Sequence, residues 1–197
     1  MQFPLSSMKK FLLITSLFGI LLTACGGSSL DPNAEPINIG FIAPLTGDKE
    51  DQGIDGLNGL KLAVNEINVD GGINGRPVRI FAEDGKCTMV DGAASAEKLV
   101  NVSKVVAIIG GYCKEETLGA SPIAEKGKVA LLSFGSGSTL SDGTVGSGFE
   151  GDFTESFGEP QSGFESAMHA YSAATKLFEA IESVGVESDA IRGYLKK

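Results

Sequence analysis

Tryptophan is absent from this 197-residue chain, and histidine occurs once, at His169. A single histidine leaves histidine-based activation of a nucleophile, and histidine-bearing metal centres, without parts. The missing indoles and modest aromatic content count against a sugar-stacking surface. No GxSxG elbow or GK[ST] phosphate loop is present, so the common hydrolase and nucleotide signatures are lacking. Gly146 to Gly151 spells GxGxxG literally, but no strand precedes it, and it reads as a bend in a glycine-rich linker. Basic residues are also short: 16 Lys and Arg stand against 25 Asp and Glu. Nucleic acid and anionic membrane surfaces are poor partners for such a chain. Neither an enzyme nor a cofactor nor a metal site is expected.

What is present begins with an export signal. Lys9 and Lys10 precede an apolar run from Phe11 to Leu22, too short for a comfortable membrane span. Leu22-Thr23-Ala24-Cys25 resembles a bacterial lipobox, which implies lipidation of Cys25 and a cell-membrane anchor facing the periplasm or the extracellular side; an ordinary cleavage site beside an incidental cysteine is the alternative. Residues 1–24 are thus read as a lipoprotein signal peptide and 25–36 as a flexible tether. Cleavage removes two lysines and no acid, so the mature charge is 14 minus 25, or −11. About 170 residues remain, enough for one domain with a real core but few for two.

The stretch from Ile37 to Asp84 carries the clearest pattern. Ile37, Ile39, Phe41, Ile42 and Ala43 form an apolar run that stops at Pro44, and Leu57, Leu60, Val64 and Ile67 recur at helical spacing. Asp70-Gly71-Gly72 ends the helix, Asn74-Gly75 turns the chain, and Val78, Ile80 and Ala82 start another strand. This is a βαβ unit. Further along, Thr88 with Asp91 opens a helix lined by Ala93, Ala96, Leu99 and Val100 that ends near Asn101. Val105 to Ile109 is a buried strand, a helix starting near Glu116 or Thr117 carries Leu118, Ile123 and Ala124, and Val129 to Leu132 is a fourth strand. The alternation predicts an α/β fold, a Rossmann-like parallel sheet flanked by helices. With Cys25 given to lipid, Cys87 and Cys113 follow the second and third strands. If those strands are neighbours, about 4.8 Å apart, a disulfide fits; two buried free thiols are the alternative.

Several marks stand in order here: Pro44-Leu45-Thr46-Gly47 after the first strand, the helix segment Gly59 to Asn68, the turn Gly71 to Val78, and Glu83-Asp84 shortly before a cysteine. Together they resemble the bacterial leucine/isoleucine/valine-binding proteins, type I periplasmic binding proteins of amino-acid ABC transporters. The resemblance implies capture of a small amino acid without chemistry and delivery to a membrane permease. Relatives of this kind often carry a disulfide at the Cys87–Cys113 place.

Past Ser133 the chain becomes glycine-rich, where the family crosses into a second lobe. Instead, the text from Asp152 to Pro160 leads into a long helix opened by Ser162 and Glu165, with Tyr171, Ala174, Phe178 and Ile181 on one face, and Ser188 caps a last short helix. These pieces are similar to the part of the family where the chain has returned to the first lobe. Residues 37–142 and 152–197 are therefore expected to form lobe one, joined by a linker at 143–151, with the second lobe and the final strands absent.

Ligands of open α/β sheets sit beyond the carboxyl ends of the strands, so the loops Leu45 to Gly53, Tyr112 to Thr117 and Phe134 to Thr139 are the candidates. By resemblance, the ligand's α-carboxylate falls to Lys114, Thr117, Gly135, Ser136 and Gly137. Gln52 stands where an aromatic is common, and Phe164 supplies an apolar wall. Lys114 pairs with a carboxylate on this reading, or with Glu115 and Glu116 makes an ordinary solvated helix start. The alternative for the whole chain is a membrane-tethered single-lobe sensor or interaction module.

Overall fold

The computed structural model describes residues 30, 31, 33–135 and 145–196. The stretch read as a signal peptide, Cys25, Ser136 and Gly137 lie outside them. Among the described residues no helix is long and apolar enough to cross a membrane.

Four strands make one parallel sheet: β1 (Ile37–Ala43), β2 (Val78–Asp84), β3 (Ala107–Gly110) and β4 (Ala130–Leu132), in the order β2-β1-β3-β4. The pleat sorts the side chains. Ile37, Ile39, Phe41, Ala107, Ile109, Ala130 and Leu132 point to one face. There they meet α1 (Glu50–Val69), α5 (Glu165–Val184) and α6 (Ser188–Leu195) through Leu60, Leu177, Ile181 and Ile191. Ile42 and Ile108 point to the other face, under α2 (Met89–Asn101) and α3 (Lys114–Lys126), where Leu99, Ala120 and Ala124 cover them. A sheet buried on both faces is why these strands read as unbroken apolar runs.

Local chemistry fixes the joints. Asn74 and Gly75, with φ of 53° and 81°, form the tight turn in which Ile73 and Arg76 exchange backbone bonds of 3.0 and 3.1 Å, a geometry that needs two positive φ values. At the end of α1 the Asn68 amide clamps β2: its Oδ1 accepts from Val78 N at 2.8 Å and its Nδ2 donates to Val78 O at 3.0 Å. Thr88 caps α2, its Oγ1 accepting from Asp91 N at 3.0 Å. The segment before β1 is held as well, Asp31 N donating to Gly75 O at 2.9 Å.

Several sequence expectations change. The Cys87–Cys113 bond forms, with Cα atoms 5.2 Å apart, but β2 and β3 are not neighbours, since β1 lies between them. The bond closes because both following loops turn in over the end of β1: Gly85 N donates to Ala43 O at 2.9 Å, and Gly111 N to Ile42 O at 3.0 Å. Helix α3 starts at Lys114, two to three residues before the expected place, with Cys113 as its N-cap. Leu118 is 50% exposed, so the buried face of α3 runs through Glu116, Gly119, Ala120 and Ala124. A helix α4 (Phe149–Phe157) begins inside the stretch read as linker. Ser162 and Glu165 make no capping box, because Phe164 is the N-cap and Ser162 is engaged elsewhere. Glu187, not Ser188, is the N-cap of α6.

Gly59 brings α1 against α5 at backbone distance: a Cβ there would lie 2.1 Å from Ala167 O. Gly59→Ala is expected to lower stability by about 1–3 kcal/mol in urea unfolding. Gly151→Ala, an α4 position with nothing within 4 Å of the added carbon, should be neutral or raise it by up to about 1 kcal/mol.

Candidate functional site

The strand order places a topological switch between β1 and β3, where successive connections leave in opposite directions, and crevices in such sheets open at that point beyond the strand ends. Three loops converge there. The loop after β1 is pinned to the end of β2 by Asp84, whose Oδ1 accepts from Leu45 N at 2.9 Å and Lys86 N at 3.1 Å. The Thr46 hydroxyl donates to its Oδ2 at 2.6 Å. Helix α1 then starts hard against that loop, since a Cβ on Gly53 would sit 1.8 Å from Pro44 O.

The loops after β3 and β4 lie on each other. Ser133 Oγ donates to Gly111 O at 2.9 Å, and a Cβ on Gly135 would come within 2.3 Å of Tyr112 O. Between them the Phe134 ring stacks on Phe41 at 5.2 Å and tilts against Tyr112 at 5.8 Å. Its edge fills the space beside Gly56, where a Cβ would be 2.6 Å away.

Asp55, 2% exposed, fastens a fourth loop to α1. Its carboxylate accepts from Gln161 N at 3.2 Å, Ser162 N at 2.7 Å and Ser162 Oγ at 2.7 Å. This carboxylate is the structural reason that residues over a hundred positions away return to the crevice. The sequence reading did not find it, although Gly53, Gly56 and Gly59, three residues apart along the helix, signalled close approach on that side.

The expected ligand residues fall into groups. Gln52 lies in the first turn of α1, where its Oε1 is buried and meets no hydrogen-bond donor among the described residues, and Gly135 follows Phe134, whose ring lies beside Gly56. Lys114 is exposed at the first position of α3. Thr117, one turn on, is turned inward, its Oγ1 lying 3.1 Å from both Gly111 O and Cys113 O, so the hydroxyl proton serves the loop. Thr117 also lines a recess of about 300 Å³ along the outer edge of β4 with Leu131, Leu132 and Arg192. Phe164 packs edge-on to Phe149 and Phe153, at 6.4 and 5.7 Å, in an aromatic cluster around Leu62. That cluster also holds Tyr171, whose hydroxyl donates to Glu66 and whose pKa is pushed well up by burial and by that carboxylate.

Glu116 is 0% exposed beneath the disulfide. Its Oε1 accepts from Cys87 N at 2.8 Å and its Oε2 from Cys113 N at 3.2 Å. Loss of solvent raises its pKa above the ordinary 4.5, the backbone donors oppose that, and Asp84 adds to it.

A parallel four-stranded sheet flanked by helices, with its loops gathered beyond the carboxyl ends of the strands, is the setting in which open α/β folds hold their ligands. The family model described as "Periplasmic binding protein" matches residues 36–149, more than half of the chain, and the chain belongs to that family of solute-binding proteins, which are not enzymes. An amino acid binding protein of Pseudomonas aeruginosa is 28% identical over 129 residues, 66% of this chain and 34% of that protein. The Leu/Ile/Val-binding protein of Escherichia coli K12 is 30% identical over 99 residues, 50% of this chain and 27% of that protein. The matched segment therefore spans about a third or less of these relatives' length. A branched-chain amino acid transporter substrate binding protein from Streptococcus pneumoniae, solved with isoleucine, is 34% identical with a TM-score of 0.49, over 51% of this chain and 29% of that one.

With its pKa raised, Glu116 makes the folded chain bind more protons than the unfolded chain between pH 4.5 and the raised value. Its contribution is present below that window and is lost as pH rises through it. Urea midpoints measured across the weakly acidic range should thus fall with rising pH more steeply in the wild type than in Glu116→Gln. Parallel slopes would place the titration elsewhere.

Proposed function

We propose that this chain supplies one wall of an amino-acid cleft, as the extracytoplasmic solute-binding lipoprotein of an ABC importer. The observation that carries the reading is the approach, at the switch point, of Gly135 to Tyr112 O, just before the α3 amino terminus with Lys114 at its first position. A helix amino terminus and free backbone N–H groups favour an anion, and an amino acid presents a carboxylate. Lys114, the first-turn amides of α3 and the Gly135-Ser136-Gly137 loop receive that carboxylate. Gln52 and Phe164 border the side-chain end, while Thr117 holds the loop after β3 in shape. The ligand is captured and released unchanged to a permease, and Cys25 carries the lipid that keeps the protein at the membrane.

Residues 37–142 and 152–197 form this wall as one lobe. A ligand held on one wall is incompletely buried, so capture by this wall alone is weak. Similarity to proteins named for leucine, isoleucine and valine binding supports a branched-chain or related ligand.

Titration calorimetry with leucine, isoleucine and valine is expected to give Kd values between about 10 μM and 1 mM, weakened several-fold further by Lys114→Ala. Binding tighter than about 10 μM would show that one wall suffices. No heat from a chain that melts cooperatively would instead favour the interaction module. Separately, labelled palmitate should enter the protein in bacterial cells and be lost in Cys25→Ser.

A further inference from the structure

Beneath the crevice, Cys87, Cys113 and Glu116 bring two sulfurs and a carboxylate oxygen within 4.8 Å of one another. From sequence no metal site is expected, because histidine occurs once, and the two cysteines are either a bridge or buried free thiols. We infer that the reduced form of this cluster is a three-ligand site for a thiophilic divalent cation of the zinc type, with the fourth position open to water.

The case rests on what holds the two cysteines together besides their bond. Both backbone N–H groups are tied to the one Glu116 side chain, at 2.8 and 3.2 Å. The elements carrying them are locked at backbone distance, since a Cβ on Gly92 would lie 2.5 Å from Glu116 O and one on Gly119 2.0 Å from Met89 O. Breaking the sulfur–sulfur bond leaves these contacts in place. A dithiol reductant delivers two electrons and two protons to the cystine and is itself oxidised to a disulfide, leaving two thiols beside a fully buried carboxylate.

A cation then displaces the two thiol protons and is met by two thiolates and one carboxylate. Tetrahedral zinc, with Zn–S of about 2.3 Å and Zn–O of about 2.1 Å, needs ligand atoms some 3.5–3.8 Å apart, a spacing the cluster reaches by side-chain rotation about Cα atoms 5.2 Å apart. Backbone donors from Cys87, Cys113 and Tyr112 act on the carboxylate, which leaves one lone pair on one oxygen for the metal, the arrangement that orients a ligating carboxylate. Two sulfurs favour zinc or cadmium over calcium or magnesium. Cys87 also borders a depression of about 380 Å³ with Pro44, Lys49 and Lys86, which gives the cation a route in. The oxidised chain has no thiolates to offer, so the redox state of the pair decides whether the site exists.

Cobalt titration of the full-length chain, reduced with a phosphine and freed of reductant without air, tests this. One Co²⁺ per chain is expected, with thiolate charge-transfer absorption in the near ultraviolet and the visible bands of a tetrahedral ion, both absent from the oxidised chain. Glu116→Gln should weaken binding at least about tenfold with all three thiols of the full-length chain, Cys25 among them, still titratable, and Cys87→Ser should remove most of the charge-transfer band. X-ray absorption at the cobalt edge of the wild type should count two sulfurs among four ligands, a readout independent of how well the variants fold. No thiolate band in the reduced chain, equal uptake by the oxidised chain, unchanged affinity in Glu116→Gln, or a shell of four sulfurs shared between chains would each overturn the assignment.

Discussion

Carboxylates that accept backbone N–H groups from distant loops hold the crevice in shape. Asp84 takes Leu45 and Lys86, Asp55 takes Gln161 and Ser162, and Glu116 takes Cys87 and Cys113. Where the carboxylate is ionised such a bond is charge-assisted, contributing about 1.5–3 kcal/mol where a neutral pair contributes about 1. A loop held through its main chain keeps its path when its side chains change, so the rim is free to present different chemistry on a fixed course. In this chain a lysine stands at position 114, the first of α3, next to the Cys113 N–H that Glu116 holds.

The sheet gives those loops a common origin. β1 is paired on both edges and covered on both faces, and the last carbonyls of β1 receive the first N–H groups beyond β2 and β3. Two loops separated by a whole strand thereby start from one point. This is how a disulfide closes across three strands. It also explains why Gly85 and Gly111 stand at the strand ends: a Cβ on Gly85 would lie 2.6 Å from the Glu116 carboxylate, and Gly111 adopts φ of 76°.

Where a residue's local chemistry decided the outcome, the sequence was legible. The apolar run of β1, the Thr88 cap and the Asn74-Gly75 turn all do in the structure what their types dictate on their own. Reading failed where a distant partner competed. Ser162 has the type and spacing of a helix cap but spends its N–H and hydroxyl on Asp55, which lies far back in the chain. Cys113 is an uncommon cap, so α3 looked shorter than it is, and the burial of Glu116 under the cystine follows from that shift of its start. The separation of β2 from β3 by β1 is a property of sheet order that no local spacing carries. Of the candidate site, the loops were legible as positions beyond strand ends. The inward turn of Thr117 and the aromatic neighbours of Phe164 were not, because both are set by residues from other elements.

The covering of the sheet by α5 has a consequence for synthesis. Ile109 and Leu132 face α5 and α6, yet both helices follow them in the chain, the first beginning at Glu165. A chain emerging from its amino terminus therefore completes all four strands while a broad apolar surface is still bare, and closes it only when a stretch some thirty residues further on arrives. Contacts of this long sequence separation form slowly and leave the intermediate prone to association. The half-made chain is thus open to association on that face, beside the part α1 covers, until its last third has been made.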